Sequence, residues 1–471
     1  MKVEQIYTGC LAHGAYYIQS ENEAAIIDPL REIKPYLQRA ERNGAQIKFV
    51  FETHFHADFV SGHLDLAKAT GATIVYGPTA QPRFLAHVAE DNEEFKVGKV
   101  TFKILHTPGH TMESACYLLK DENGKMAAIF SGDTLFIGDV GRPDLAQRGE
   151  ITQEVLAGYL FDSLRNKVMN LPDDIIVYPG HGAGSACGKK ISNETADTLG
   201  HQKQFNYALR SNMTRDEFIK EVLTGLTAPP QYFPENVRLN KLGYESFTEV
   251  LNRGLQPLNA KAFEAAAEET EALLLDTRNP HEFVKGYIPN AINIGLGGSF
   301  APWVGALIPD LKQTILLIAE PGKEEEAITR LSRVGYDNCI GYLDGGFENW
   351  QQEGLPFDSI QSISPDELAE LQRKDPSIKI LDVRKESEYD SEHVVGVENF
   401  CLDYINDNMY KLDPDETYYI HCQSGYRSVI FISILKSRGF HKLINIKPGF
   451  KGLKASGLFP LTEYKEPVTM L

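Results

Sequence analysis

The chain has 471 residues, enough for two to four domains at roughly 100–200 residues each. Its 42% apolar and 24% charged residues exclude a disordered or collagen-like chain, and its net charge of −18 argues against nucleic acid and anionic membranes as partners. No apolar run approaches the roughly 18 residues of a membrane span, and the opening MKVEQIYTGCLAHGAYYIQS lacks the apolar core of a signal peptide, so a cytoplasmic protein is expected.

From the N-terminus, short β-branched or aromatic runs bounded by Gly, Pro, Asn or charge predict strands over 24–28, 47–52, 73–76, 100–105, 116–119, 127–130 and 175–178. Helical patterns cover 33–43 and 63–70, each followed by glycine, and then 192–210 and 214–223. Residues 225–257 hold four prolines and little periodicity, which places a first domain at 1–255. The rest contains a repeat. LLLDTRNPHEFVKGYIPNAINI returns as KILDVRKESEYDSEHVVGVENF, and GGFENWQQEGLP returns as PGFKGLKASGLFP at nearly the same offset. Two such signals predict two homologous domains, 256–360 and 361–471. Strand–helix alternation in each favours a mostly parallel sheet. SPDEL at Ser364 is a helix start with a capping serine.

Six cysteines are scattered without a CxxC pair, which suits a reducing compartment. In the first domain, His54, His56 and Asp58 follow the strand ending at Glu52. His110 lies in HTPGH, Asp133 in SGD and His181 in YPGH, each just past a predicted strand. A lone histidine of this kind is usually a surface loop residue. Six potential ligands at successive strand ends instead predict a metal site on loops held by a rigid scaffold. His63, His87 and His106 are read as structural, and Cys10 and Cys187 as bystanders.

The motifs HFHAD, HTPGH, SGDTLF and YPGH resemble the metallo-β-lactamase superfamily over about residues 1–230. The resemblance implies an αβ/βα sandwich, so the whole chain is expected to be α/β and α+β multi-domain. The family's usual first motif is HxHxDH, but Phe59 follows Asp58 here. That departure weakens a dinuclear zinc reading and points to the family's mononuclear iron branch, the persulfide dioxygenases. Carried over, the iron ligands are His54, His110 and Asp133, two histidines and a carboxylate as in the facial triad of non-haem iron oxygenases. His56, Asp58 and His181 then orient ligands or water, or alternatively complete a second weak metal site. Arg142, in the TLFIGDVGRPD loop, holds the substrate's carboxylate or thiolate, or forms a structural salt bridge.

In the last domain the apolar strand 418–421 runs into CQSGYRS and then an apolar helix. Loop amides and the helix dipole favour an anion there, making Cys422 a nucleophilic thiolate, with Arg427 adding positive charge. This loop and the repeated Asp276–Arg278 and Asp382–Arg384 resemble rhodanese sulfurtransferases. Four residues separate Cys422 from Arg427, one fewer than in related phosphatases, which suits sulfur rather than phosphate. In the first copy Glu320 takes the place of Cys422, so the middle domain is expected to be catalytically silent; Cys339 is read as core.

The resemblance implies a two-centre sulfur enzyme. One Fe(II) per chain, or alternatively zinc, serves oxidation of a small-molecule thiol persulfide by O₂ to sulfite, and Cys422 transfers sulfane sulfur to sulfite to give thiosulfate. The alternatives are a glyoxalase-II-like dinuclear zinc thioester hydrolase with an attached sulfurtransferase, and a non-enzymatic sulfur-carrier scaffold. The thiol carrier and the oligomeric state are left open, a homo-oligomer being one option.

Overall fold

A computed structural model of the chain describes residues 1–147 and 151–466. Two compact units form: Met1–Phe247 with Ser332–Gly335, and Thr248–Leu331 with Tyr336 onward.

The first unit holds two six-stranded sheets. One contains β1 (Lys2–Thr8), β2 (His13–Ser20), β3 (Glu23–Ile27), β4 (Gln46–Glu52), β5 (Thr73–Tyr76) and β6 (His87–Val88), side by side in that order. The other contains β7 (Glu94–Val97), β8 (Val100–His106), β9 (Ala115–Lys120), β10 (Met126–Gly132), β11 (Ile176–Pro179) and β12 (Asp197–Thr198), again in sequence order. Successive side chains on a strand point to opposite faces. Tyr16, Ile18, Phe51, Phe102, Tyr117 and Phe130 meet between the sheets. Tyr17, Ile26 and Ile74 face outward onto Tyr36 and Leu66 of the helices Lys34–Arg42 and His63–Thr70. Cys116, Leu118 and Ile129 face the other way, onto a layer that includes Leu160, Phe218 and Val222. The result is helix, sheet, sheet, helix. Strands covered on both faces read as unbroken apolar runs such as AAII, which is why the central ones are legible in the sequence.

Five segments differ from expectation. Residues 192–210 are not one helix but β12, the helix Leu199–Phe205 and the turn Tyr207–Leu209. The Thr198 and Asn206 side chains accept from the amides of His201 and Ala208, so each caps a new start. The proline-rich stretch contains the helices Phe233–Leu242 and Phe247–Gly254. Pro234 sits in the first turn of the former, where its missing N–H costs no hydrogen bond. The strands β1 and β2 and the helix Gln153–Ser163 have no counterpart in the sequence reading.

The second unit holds two five-stranded sheets, parallel at every pairing. The first has β13 (Pro257–Leu258), β14 (Leu273–Asp276), β15 (Ile292–Asn293), β16 (Ile315–Ile318) and β17 (Cys339–Leu343), ordered β13-β17-β16-β14-β15. The second has β18 (Ser362–Ile363), β19 (Lys379–Asp382), β20 (Glu398–Asn399), β21 (Tyr418–His421) and β22 (Leu443–Ile446), ordered β18-β22-β21-β19-β20. These are the same topology twice. The repeat holds at atomic level: Arg278 pairs with Asp276 and Arg384 with Asp382, each at 2.6 Å. Arg278 also lies over Phe347, and Arg384 over Phe450, with ring centroids at 4.2 and 3.9 Å. The two repeated sequence motifs are therefore the two halves of one internal brace. The α/β multi-domain architecture matches the fold class read from the sequence. Among the described residues no helix is long and apolar enough to cross a membrane.

Candidate functional site

The ends of β4, β8, β10 and β11 deliver His54, His110, Asp133 and His181 to one edge of the sandwich. Gly132 sits at φ +50°, and a Cβ there would come within 2.6 Å of the Thr53 side chain, so only glycine lets β10 turn Asp133 inward.

One ligand atom each from His54, His110 and Asp133 lies within 4.8 Å of the others, and all three residues are buried. The outer ring nitrogens fix the inner ones. Thr53 donates from its amide and its hydroxyl to the two oxygens of Asp28, each at 2.8 Å. With that proton committed, Thr53 Oγ1 accepts from Nδ1 of His54 at 3.0 Å. His110 Nδ1 donates to the Arg142 carbonyl oxygen at 2.9 Å. Both Nε2 atoms therefore keep free lone pairs, 4.0 and 3.5 Å from Oδ2 of Asp133. Burial drives the His54 imidazole well below its usual pKa and His110 to about 4, so both are neutral, as metal ligands must be. Neither carboxylate oxygen of Asp133 has a hydrogen-bond partner among the described residues. Burial, reinforced by the charge of Asp58, pushes that carboxyl well above its usual range. A buried, unpartnered carboxylate facing two imidazole lone pairs fits a divalent cation.

His56 is turned elsewhere. Its Nε2 lies 3.0 Å from Asp28 and 3.5 Å from Glu52. Burial alone would depress its pKa, but the two carboxylates outweigh burial and hold it well above its usual value. Asp58 and His181 join Cys187 in a second buried cluster, again within 4.8 Å. His181 Nε2 is 3.4 Å from Asp58 and 3.6 Å from Asp133. Sequence reading left Cys187 aside. The signal that points to it is its place in the GHGAGSAC loop that leaves β11 at His181. It also passed over Asp28, an acid closing the apolar strand AAII.

The Arg142 guanidinium is buried and held by Asp144, with Nε and Nη2 each 2.7 Å from a carboxylate oxygen. It also donates to the carbonyl oxygens of Ala186 and Thr227. The structure thus places it in the salt bridge that the sequence left as the alternative to substrate binding. His87 pairs with Glu93 at 2.7 Å, and His106 meets the Met112 carbonyl at 2.9 Å, both away from the cluster.

In the second unit, Cys422 leaves β21 and precedes the helix Tyr426–Ser437. The Gly425 amide donates to its Sγ at 3.1 Å, and Ser428 Oγ lies 3.8 Å away. Gly425 takes φ +106°, which turns its amide back onto the sulfur. The helix N-terminus adds its dipole. Arg427 donates to both oxygens of Glu388, so its charge is shared with that carboxylate rather than given wholly to Cys422. Glu320 does not hold the corresponding place after β16: Ile318 pairs with Asp276 as His421 pairs with Asp382, so Ala319 stands where Cys422 does and Glu320 is level with Gln423. A helix whose first turn carries Glu324, Glu325 and Glu326 follows.

A profile of the metallo-beta-lactamase superfamily matches residues 8–181, and one of the rhodanese-like domain matches 259–353 and 364–456. A crystal structure of a metallo-beta-lactamase from Staphylococcus aureus superposes with a TM-score of 0.63. It is 32% identical and covers 73% of this chain and 98% of its own. A probable hydroxyacylglutathione hydrolase of Schizosaccharomyces pombe is 28% identical over 263 residues, 50% of this chain and 96% of that protein. The hydroxyacylglutathione hydrolase GloC of Haemophilus influenzae is 31% identical over 192 residues, 36% of this chain and 85% of that protein.

Proposed function

Because this chain belongs to the metallo-beta-lactamase superfamily and carries two rhodanese-like domains behind that fold, we propose that it is a persulfide dioxygenase joined to a sulfurtransferase. The observation that carries the reading is the set of three: His54, His110 and Asp133 converge with free ligand atoms, while His56 is bound to Asp28 and Glu52. Phe59 occupies the position where a further ligand would stand. Iron(II) held by the three would supply activation of O₂ beside a bound sulfur anion. Thr53 and the Arg142 carbonyl hold the two imidazoles in the tautomer that offers Nε2. Closely packed side chains keep bulk water from the site.

The stoichiometry is one persulfide, one O₂ and one water giving one thiol, sulfite and two protons. At the second centre the Cys422 thiol takes the outer sulfur of another persulfide, releasing the carrier thiol and leaving a cysteine persulfide. Sulfite then attacks that outer sulfur, thiosulfate leaves, and Cys422 is restored. The Gly425 amide and the helix N-terminus stabilise negative charge on sulfur throughout.

The test is O₂ uptake by anaerobically iron-loaded protein supplied with glutathione persulfide. Uptake with about one iron per chain is expected; an iron-loaded protein that consumes no O₂ overturns the dioxygenase. A Cys422→Ser variant should consume O₂ and release sulfite in place of thiosulfate. Unchanged thiosulfate yield would remove the coupling.

A second reading, a dinuclear zinc hydrolase acting on thioesters of the hydroxyacylglutathione kind, is favoured by the Asp58–His181–Cys187 cluster. It predicts two zincs per chain and thioester cleavage without O₂.

A further inference from the structure

The middle domain lacks a nucleophile, yet the strand ends where a parallel α/β sheet binds ligands are not filled in. Thr277, Asn279 and His281 after β14, Leu296 and Gly297 after β15, and Glu320 and Lys323 after β16 line a cavity of about 420 Å³. Pro280 and Glu326 complete that side, and the opposite wall is Ser424, Gly425 and Tyr426 from the loop of Cys422. Cys422 itself is 1% exposed, and its sulfur lies one 3.1 Å hydrogen bond behind the lining residue Gly425. A Cβ on Gly425 would meet nothing within 4 Å, so this side of the loop is open. The wall is fixed in place: Tyr426 donates its hydroxyl to the Gly295 carbonyl at 2.7 Å, and Ser433 on the same helix accepts from the Asn293 amide at 2.9 Å.

The cavity is of the size that takes small-molecule ligands, and its charges are mixed. Lys323 is 2.9 Å from Glu326, while the Glu320 carboxylate makes no ion pair among the described residues. The His281 ring likewise has no hydrogen-bond partner there. An unpaired carboxylate and a nearby imidazole and ammonium match a zwitterion, an α-amino acid head with its own ammonium and carboxylate. Two glutamates in the lining disfavour a polyphosphate-bearing carrier.

We infer that the middle domain is the carrier-binding half of the Cys422 centre, and that Glu320, one residue past the place of the missing cysteine, selects amino-acid-type thiol persulfides by accepting from their ammonium group. This rests on the sulfurtransferase reading of Cys422. The chemistry is a transfer without net oxidation: the carrier's S–S bond breaks, a new S–S bond forms at Cys422 Sγ, and the carrier leaves as its thiol with the proton given up by Cys422.

The test uses the full-length protein. Thiosulfate formation from sulfite is followed with cysteine persulfide, the persulfide of uncharged mercaptoethanol, and coenzyme A persulfide. Glu320→Gln is expected to raise KM for the cysteine carrier about tenfold and leave the uncharged one unmoved, the loss of one charge-assisted hydrogen bond. Glu320→Lys should shift preference toward the coenzyme A carrier. Equal changes for all carriers, or none, overturn the inference. Binding of S-methylcysteine to Cys422→Ser protein, with and without Glu320→Gln, isolates the pocket from the chemistry. Weaker binding in the double variant supports the inference and equal binding overturns it. If Cys422→Ser alone leaves thiosulfate formation intact, the sulfurtransferase reading falls, and the inference with it.

Discussion

His56 points its Nε2 at Asp28, 3.0 Å from Oδ1, and the same carboxylate accepts both the amide and the hydroxyl of Thr53. Asp28 thereby sorts the two histidines of the HFH motif. Through Thr53 it orients His54 for a cation, and directly it withdraws His56 as a charged partner of its own.

Asp28→Asn should therefore act at two places. It removes one of the carboxylates that hold the His56 imidazolium, a buried charge, at a cost of about 3 kcal/mol by denaturant melting. It also loosens His54, so iron content after loading should fall about tenfold. His56→Gln should lower stability with a smaller effect on iron, because His56 is not in the three-residue set. Equal iron loss in both variants would count against this division of roles.

Asp133→Asn keeps the shape of the side chain and removes its charge. Metal content by elemental analysis should drop by at least about tenfold, while stability of the metal-free protein should hold or rise, since the buried carboxylate has no partner to lose. Loss of stability without loss of metal would contradict the assignment.

Arg142 and Asp144 can be separated from substrate binding. Asp144→Asn leaves a buried guanidinium without its carboxylate, which should lower stability by about 3 kcal/mol. Through the Arg142 carbonyl it should also weaken iron affinity roughly tenfold. If only KM for persulfide rises, with metal and stability unchanged, Arg142 holds substrate instead.

The Arg427–Glu388 pair gives the second unit an acid limit. Burial opposes ionisation of Glu388, but Arg427 outweighs it and holds the carboxyl below its usual 4.5. A depressed acid contributes stability above its unfolded pKa, so this contribution is complete above about pH 4.5. It is lost as pH falls through the lower folded value. Glu388→Gln should flatten that part of the acid melting curve of the full-length protein and slow sulfur transfer, with O₂ uptake unaffected.

Gly298→Ala tests the bracing of the Cys422 loop. The added Cβ would lie 2.4 Å from Cζ of Tyr426, so the ring or the backbone must move. Thiosulfate formation should fall several-fold while O₂ uptake stays at the parent rate. Tyr426→Phe, losing one hydrogen bond worth about 1 kcal/mol, should be milder.

The strands β3, β9 and β10 were legible because both of their faces are covered, which leaves an apolar run no loop would carry; β2 is as fully buried, but its glycine, glutamine and serine break the run. β1 was not, since its residues are mostly half-buried and alternate weakly. The helix Phe233–Leu242 hid behind Pro234, whose place in its first turn only the backbone reveals. The strand-end rule found His54, His110, Asp133 and His181, because a strand that stops abruptly at a polar residue marks a sheet edge. It passed over Cys187, which lies several residues into a loop whose path no local pattern fixes.

The sequence by itself determined the domain classes, the doubled α/β unit and the residues able to hold a metal or carry sulfur. These follow from side-chain chemistry, periodicity and repetition along the chain. Only the tertiary structure decided that His56 belongs to Asp28 and Glu52, that Arg142 serves Asp144, and that the middle repeat shares a cavity with Ser424, Gly425 and Tyr426. Each depends on the direction in which a side chain leaves its strand end and on which distant segment meets it there. Long-range packing sets both.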